Sequence, residues 1–99
     1  MVCYGHPTEP ADFDEYYTTT HRPLADKIPG VRTWHAGKVS TLDAAKPPYY
    51  LVAVLSFDSR DALDEGLASP EGQAAAADIG NFATGGATLF VTDDFIPAA

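Results

Sequence analysis

The side chains best suited to chemistry in this chain are His21, Asp78 and a set of aromatics, Tyr17, Trp34, Tyr50 and Phe82. His21 lies four positions after Tyr17 and one turn before Leu24 and Ala25. On a helix it falls at the edge of an apolar stripe. Histidine titrates at about pH 6.5 and exchanges protons at neutral pH, so His21 is the candidate general acid or base. Pro23 removes a backbone donor just beyond it, which leaves a carbonyl free to orient the ring. The competing role is structural: a ring that caps the core and bonds a loop. Trp34 and His35 are neighbours in an extended segment, so one faces the helices and the other the opposite side. Trp34, Tyr50 and Phe82, with Tyr17, either line a pocket or fill core and interface. An aromatic-rich pocket suits a flat, apolar or aromatic compound. Asp78 closes an alanine run. It is expected to accept hydrogen bonds from the stretch Gly80–Gly86, with orientation of His21 as the alternative.

Other chemistries lack their residues. His6, His21 and His35 do not have the i, i+4 spacing of helical metal ligands, and Cys3 is the one cysteine, so neither a metal site nor an internal disulfide is expected. Gly85-Gly86 has neither P-loop nor dinucleotide-binding spacing, and there is no Gly-x-Ser-x-Gly elbow. No cofactor is expected. Cys3 reads as a small core residue rather than a nucleophile.

The periodicity of the chain indicates what holds these groups. A short strand over Met1–Tyr4 ends at Gly5-His6-Pro7. From Phe13 to Ile28 the positions Phe13, Tyr16, Tyr17, Thr20, Leu24 and Ile28 fall on one stripe at about 100° per residue. Pro23 is expected to kink this helix or tighten its last turns, and Pro29-Gly30 stops it. Val31–Ser40 reads as a strand, Thr41–Pro48 as a loop and Tyr49–Phe57 as the clearest strand. Asp58 or Ser59 caps the next helix, whose inner face carries Leu63 and Leu67. Ser69-Pro70 ends it and starts a second, alanine-rich helix over Gly72–Asp78. Gly80–Gly86 is a loop, Ala87–Thr92 the last strand and Asp93–Ala99 a tail. The order β-α-β-β-α-β is the ferredoxin-like arrangement, an α+β fold with an antiparallel sheet and both main helices on one face.

Length and charge bound the remainder. A chain of 99 residues makes one domain, burying roughly 60–70% of the surface its unfolded form exposes. Its net charge of −8 repels phosphate backbones, so neither nucleic acid nor an anionic membrane is an expected partner. The start lacks a basic leader, no apolar run is long enough to span a bilayer, and a lone cysteine suits a reducing compartment. A cytoplasmic location is expected. The strand Tyr49–Phe57 is apolar on both faces: Tyr49, Leu51, Ala53, Leu55 and Phe57 on one, Tyr50, Val52 and Val54 on the other. Two helices cover only one face of such a sheet. A second copy of the chain is the simplest cover for the other, so a homodimer is expected; the alternative is a monomer in which the strand is merely central.

Phe13-Asp14-Glu15-Tyr16-Tyr17, His21-Arg22-Pro23-Leu24 and Ile28-Pro29-Gly30-Val31 resemble the first half of EthD domains. Ala68-Ser69-Pro70-Glu71-Gly72-Gln73 with the alanine run to Asp78, and Asn81-Phe82-Ala83-Thr84-Gly85-Gly86, resemble the second half. The resemblance runs from about Tyr4 to Val91, and the order and spacing of the motifs are more specific than any one of them. It implies a dimeric α+β barrel, with two ferredoxin-like units face to face and a cavity between sheet and helices for a small hydrophobic organic molecule. His21 occupies the family's helix-1 histidine position and Trp34 the place of a pocket aromatic. The family is named from an operon for degrading a fuel ether, in which its role is accessory. Fold relatives include cofactor-free monooxygenases, lactone isomerases, polyketide-tailoring enzymes and haem-dependent enzymes. The resemblance thus implies a cofactor-free oxidoreductase or isomerase, or else a non-catalytic carrier for a partner oxidase. A haem protein with His21 or His35 as axial ligand ranks third. The chain departs from the pattern at its start, where the first strand lacks several apolar residues: either the true start lies upstream, or the strand is short and weakly paired.

Overall fold

Burial alternates along Leu51–Phe57 (β3): Leu51 and Ala53 are buried, while Val54 is exposed. This is the two-residue period of a strand that packs on one side. In the computed structural model, which describes residues 1–93, β3 pairs antiparallel with Val31–Lys38 (β2) and with Val2–Tyr4 (β1). β1 pairs antiparallel with Ala87–Leu89 (β4). The sheet order is therefore β2-β3-β1-β4, the ferredoxin-like order. The helical segments are Pro10–Tyr16 (α1), Arg22–Ala25 (α2), Arg60–Ala68 (α3) and Pro70–Phe82 (α4). They and the turn between α1 and α2 supply Phe13, Tyr17 and Phe82 to a core shared with Tyr4, Leu51 and Ala53 of the sheet. The architecture is α+β, as the order of elements predicts.

The shortest strand holds a central place. β1 has three residues but is hydrogen-bonded on both sides. Tyr4, only 1% exposed, meets Phe13, Tyr17 and Phe82 at ring distances of 5.4, 5.8 and 5.5 Å. Edge and tilted aromatic contacts of this kind add to the value of area burial alone. The expectation of weak pairing is corrected: the strand is short, but its last residue anchors the core.

Several boundaries shift for physical reasons. β3 begins at Leu51 rather than Tyr49, since Pro47-Pro48 just before cannot donate to a ladder. β4 stops at Leu89 rather than Thr92, although Phe90 still exchanges two backbone hydrogen bonds with Met1, at 2.8 and 3.1 Å. α4 starts at Pro70 and runs on through Asn81 to Phe82, where buried Phe82 pins the last turn to the core. The expected tail lies, apart from Asp93, outside the described residues.

Ser69 joins α3 to α4 and caps the latter: its Oγ accepts the Gly72 N–H at 3.0 Å and donates to the Gly66 carbonyl at 2.5 Å. This places Gly72 directly against the end of α3, where an added Cβ would collide with the Gly66 carbonyl and the Leu67 backbone. Neither obstacle is a flexible side chain. Gly72→Ala is therefore expected to destabilise the fold by about 1–3 kcal/mol, the usual cost of overpacking, measured as a lower urea midpoint. A midpoint equal to the parent's would show that the two helices separate freely at this joint.

Candidate functional site

Threonines and a proline decide the backbone around His21. Pro23 has no N–H to continue the helical ladder. Thr18 and Thr19 turn their hydroxyls back to donate to the carbonyls of Asp14 and Glu15, at 2.8 and 2.7 Å, competing with backbone donors for those oxygens. The helix answers by widening. Tyr17–His21 is a π turn, and the Arg22 N–H reaches the Tyr17 carbonyl. The expected kink or tightening at Pro23 is corrected to an opening of the turn before it. The extra residue in that turn changes which side chains point inward: Thr20, expected on the apolar stripe, is exposed, and His21, expected at its edge, is buried at 4%. Turns of this type recur at functional sites.

Burial brings His21 to Asp78 of α4, with Nδ1 3.0 Å from Oδ2. The other carboxylate oxygen, Oδ1, accepts from the Tyr16 hydroxyl at 2.6 Å and from Asn81 Nδ2 at 3.0 Å. Burial alone would push the Asp78 carboxyl up, but the hydrogen bonds from Tyr16, Asn81 and His21 outweigh it and hold the group below the ordinary carboxylate range. An ionised carboxylate only accepts, so the Nδ1 of His21 carries the proton and Nε2 keeps its lone pair in the neutral ring. The same carboxylate raises the Tyr16 phenol, chiefly through their hydrogen bond. Phe82 and Tyr17 pack on the imidazole at 4.7 and 5.5 Å.

His21 forms part of the wall of a cavity of about 210 Å³ between the sheet and the helices. Tyr17, Trp34, Ala53, Leu55 and Ala75 are among its other walls. An apolar enclosure with a few polar groups is the usual form of a small-molecule site. A groove of about 400 Å³ adjoins it, and Tyr17 and Trp34 line both. Arg22 and Lys38 stand along the groove, and the Arg22 guanidinium lies 5.2 Å from the Trp34 ring centre. The Tyr17 hydroxyl is buried and has no hydrogen-bond partner among the described residues. Burial pushes this phenol up to about 12, while the nearby Trp34 indole N–H and the Arg22 charge oppose the rise. The indole is close enough to act on the phenol's charge but does not meet it in hydrogen-bond geometry.

The structure therefore gathers Tyr17, His21 and Trp34 on the cavity, with Asp78 and Phe82 directly behind the imidazole. Tyr50 stands apart, and its expected place in the pocket is corrected. Its hydroxyl donates to Asp14 Oδ1 at 2.7 Å, and Lys38 Nζ sits 4.4 Å over its ring. His35 faces away from the cavity and borders only the groove. Tyr16 and Asn81 are not singled out by the sequence. Asn81 lies one helical turn beyond Asp78, a spacing that signals contact. Among the described residues no three His, Cys, Asp or Glu side chains gather as metal ligands would. No helix there is long and apolar enough to cross a membrane.

Fold and site together define a ferredoxin-like α+β domain with an apolar cavity and a buried His–Asp pair in its wall. Residues 5–86 match the EthD domain model, and the chain belongs to the EthD family. It is 47% identical over 93 residues to an uncharacterized 11.0 kDa protein in the thcB-thcC intergenic region of Rhodococcus erythropolis, covering 94% of this chain and 90% of that one. The crystal structure of an ethyl tert-butyl ether d (EthD) family protein from Bacillus halodurans superposes with a TM-score of 0.88 at 29% identity, over 95% of this chain and 94% of that one. Two more distant structures share the fold. One is a dimeric ferredoxin-like protein of unknown function from Thermobifida fusca, with a TM-score of 0.64 at 22% identity over 92% of this chain and 86% of that one. The other is SnoaB, a cofactor-independent oxygenase from Streptomyces nogalater, with a TM-score of 0.56 at 21% identity over 98% of this chain and 92% of that one.

The direction of the Asp78 shift fixes a pH dependence. A carboxyl lowered on folding contributes stability that is fully present above its unfolded value, here 3.8, and lost as the pH falls through the folded value. The urea midpoint should hold steady from neutrality down to that range and then drop. In Asp78→Ala it should already be lower at pH 7, by about 2–4 kcal/mol in free energy, because three donors lose a buried charged acceptor. The acid drop should also be shallower. An unchanged acid limb in the variant would mean that Asp78 is not held ionised by these bonds.

Proposed function

We propose that the cavity binds a small hydrophobic organic molecule and that His21 moves a proton on it, with Asp78 fixing the imidazole tautomer. The observation that carries this reading is the 3.0 Å contact of His21 Nδ1 with Asp78 beside an apolar cavity. A carboxylate on one ring nitrogen fixes the tautomer and stabilises the imidazolium formed at the other. General acid–base catalysis by a positioned histidine contributes about 10²–10⁴-fold in rate. The chemistry fits a cofactor-free isomerase, or an oxygenase whose substrate is activated by loss of a proton. The cofactor-independent oxygenase among the fold neighbours supports the second form. The test is hydrogen–deuterium exchange at carbon, monitored by NMR, on a panel of small aryl ketones and lactones in D2O. The protein should accelerate exchange for at least one compound, and His21→Gln should lose about 10²–10⁴ of that acceleration while still binding the compound. Binding without exchange in the parent would leave a carrier for a partner oxidase as the function.

The working form is, on the same reading, a homodimer. Val52 and Val54 lie on the sheet face opposite the core, and Val54 is 37% exposed. A dimeric ferredoxin-like neighbour supports a sheet-to-sheet arrangement. Sedimentation at micromolar concentration should give twice the mass of the chain. Val54→Glu, which would bring two carboxylates together at an apolar interface, should weaken association by at least about tenfold. A parent protein that sediments as a monomer overturns the dimer.

A further inference from the structure

Two side chains outside the cavity wall act on His21 through Asp78. Tyr16 is the last residue of α1, immediately before the π turn, and Asn81 stands in the last turn of α4. Both line a recess separate from the cavity, and neither is among the cavity's walls. The Asp78 carboxylate joins them to the imidazole. Its Oδ2 meets His21 Nδ1 at 3.0 Å, while its Oδ1 accepts from Tyr16 at 2.6 Å and from Asn81 at 3.0 Å. The Tyr16 bond has the length of an O–H donor on an ionised acceptor, a bond roughly twice as strong as a neutral one. The Tyr16 ring in turn stacks on Phe82 at 5.4 Å, and Phe82 packs on the imidazole at 4.7 Å. The terminal torsion of an aspartate is broad and roughly two-fold. A single bond to His21 would leave the carboxylate plane free to turn. Donors on its second oxygen, from two different helices, remove that freedom.

We infer that Tyr16, with Asn81 as a second donor, is a positioning residue for proton transfer at His21: it locks the Asp78 carboxylate so that Oδ2 holds the Nδ1 proton and Nε2 keeps its lone pair for the cavity. This rests on the proposed use of His21 and adds residues that no ligand in the cavity touches. A neutral imidazole carries its one N–H on either nitrogen. With the proton on Nε2 the ring has no base on the cavity side. With the proton on Nδ1, the Nε2 lone pair forms the new N–H bond, and the electron pair of the broken bond stays with the ligand. The imidazolium is held by Asp78 and returns the proton from Nε2. Tyr16 and Asn81 keep their own protons throughout. Burial works against the Asp78 charge, and these donors help to keep it.

The test is 15N NMR of the full-length protein labelled at its three histidines, with the His21 signals identified by their loss in His21→Gln. Protonated and bare ring nitrogens resonate far apart, so the shifts report the tautomer. At a pH well above the ordinary histidine range, the parent should show a single tautomer protonated at Nδ1. In Tyr16→Phe the two resonances should move toward each other, the Nε2–H form reaching about a tenth or more of the population, as the loss of a hydrogen bond to a charged group allows. Asn81→Leu, at an exposed position, should move them the same way by less. For a compound whose carbon-bound proton the parent exchanges, Tyr16→Phe should lower kcat about tenfold with KM unchanged, the effect of a displaced base rather than of lost binding. A Tyr16 that merely ties α1 to α4 would lower the urea midpoint and leave the 15N shifts alone. Parental shifts in whichever of the two variants folds would therefore overturn the inference, as would a parent protonated at Nε2. A parent that exchanges no compound fails the proposed function, while the tautomer measurement, which needs no ligand, still decides the role of Tyr16.

Discussion

Much of the site depends on one buried anion. The Asp78 carboxylate, 7% exposed, gathers Tyr16 and His21 from the first helical stretch and Asn81 from its own helix. A carboxylate taken out of water without partners costs several kcal/mol, and hydrogen bonds to its lone pairs repay the cost only when the geometry is good. Here three donors meet it at 2.6–3.0 Å. The arrangement pins α4 to the π turn in the layer that faces the sheet. It also settles which nitrogen of His21 is a donor. Fold stability and the imidazole tautomer therefore share an interaction, and neither could be altered without the other.

The range of the physics involved decides how much of this is legible in the sequence. The ferredoxin-like order can be read because it depends on local periodicity. The alternating run at Leu51–Phe57 and the Ser69-Pro70 start of α4 are short-range signals. The family motifs, spread over most of the chain, point to the family. The π turn is not legible. It arises from threonines and a proline acting together, and a helical wheel of fixed period cannot represent an inserted residue. The wheel therefore turns Thr20 inward and leaves His21 only at the edge, when the reverse holds. Tyr50 is misplaced for a related reason. Period alone gives a face but does not say that Asp14 and Lys38 would claim the hydroxyl and ring. Asp78 is readable as an acceptor, yet its shortest hydrogen bond comes from Tyr16, 62 positions away, a pairing that only the fold creates.

The π turn also explains why stability and site geometry are linked. A regular helix would bond the Arg22 N–H to the Thr18 carbonyl and leave His21 rotated away from the core. The wider turn has poorer backbone geometry, so something must offset it. Burial of His21 against Phe82 and its bond to Asp78 supply that compensation. Local threonines and a proline open the turn, and the tertiary contacts hold the register it creates.

Tyr17 shows a tension between packing and polarity. It lies at the start of the π turn, stacks with Phe13 at 5.9 Å and meets Tyr4 edge-on, so its ring is core. Phenylalanine would fill that place and carry no unsatisfied hydroxyl. The oxygen therefore adds nothing to packing and subtracts from stability. The Tyr17 ring meets both the imidazole and the indole, so the residue that packs the core also forms the stretch of wall common to cavity and groove.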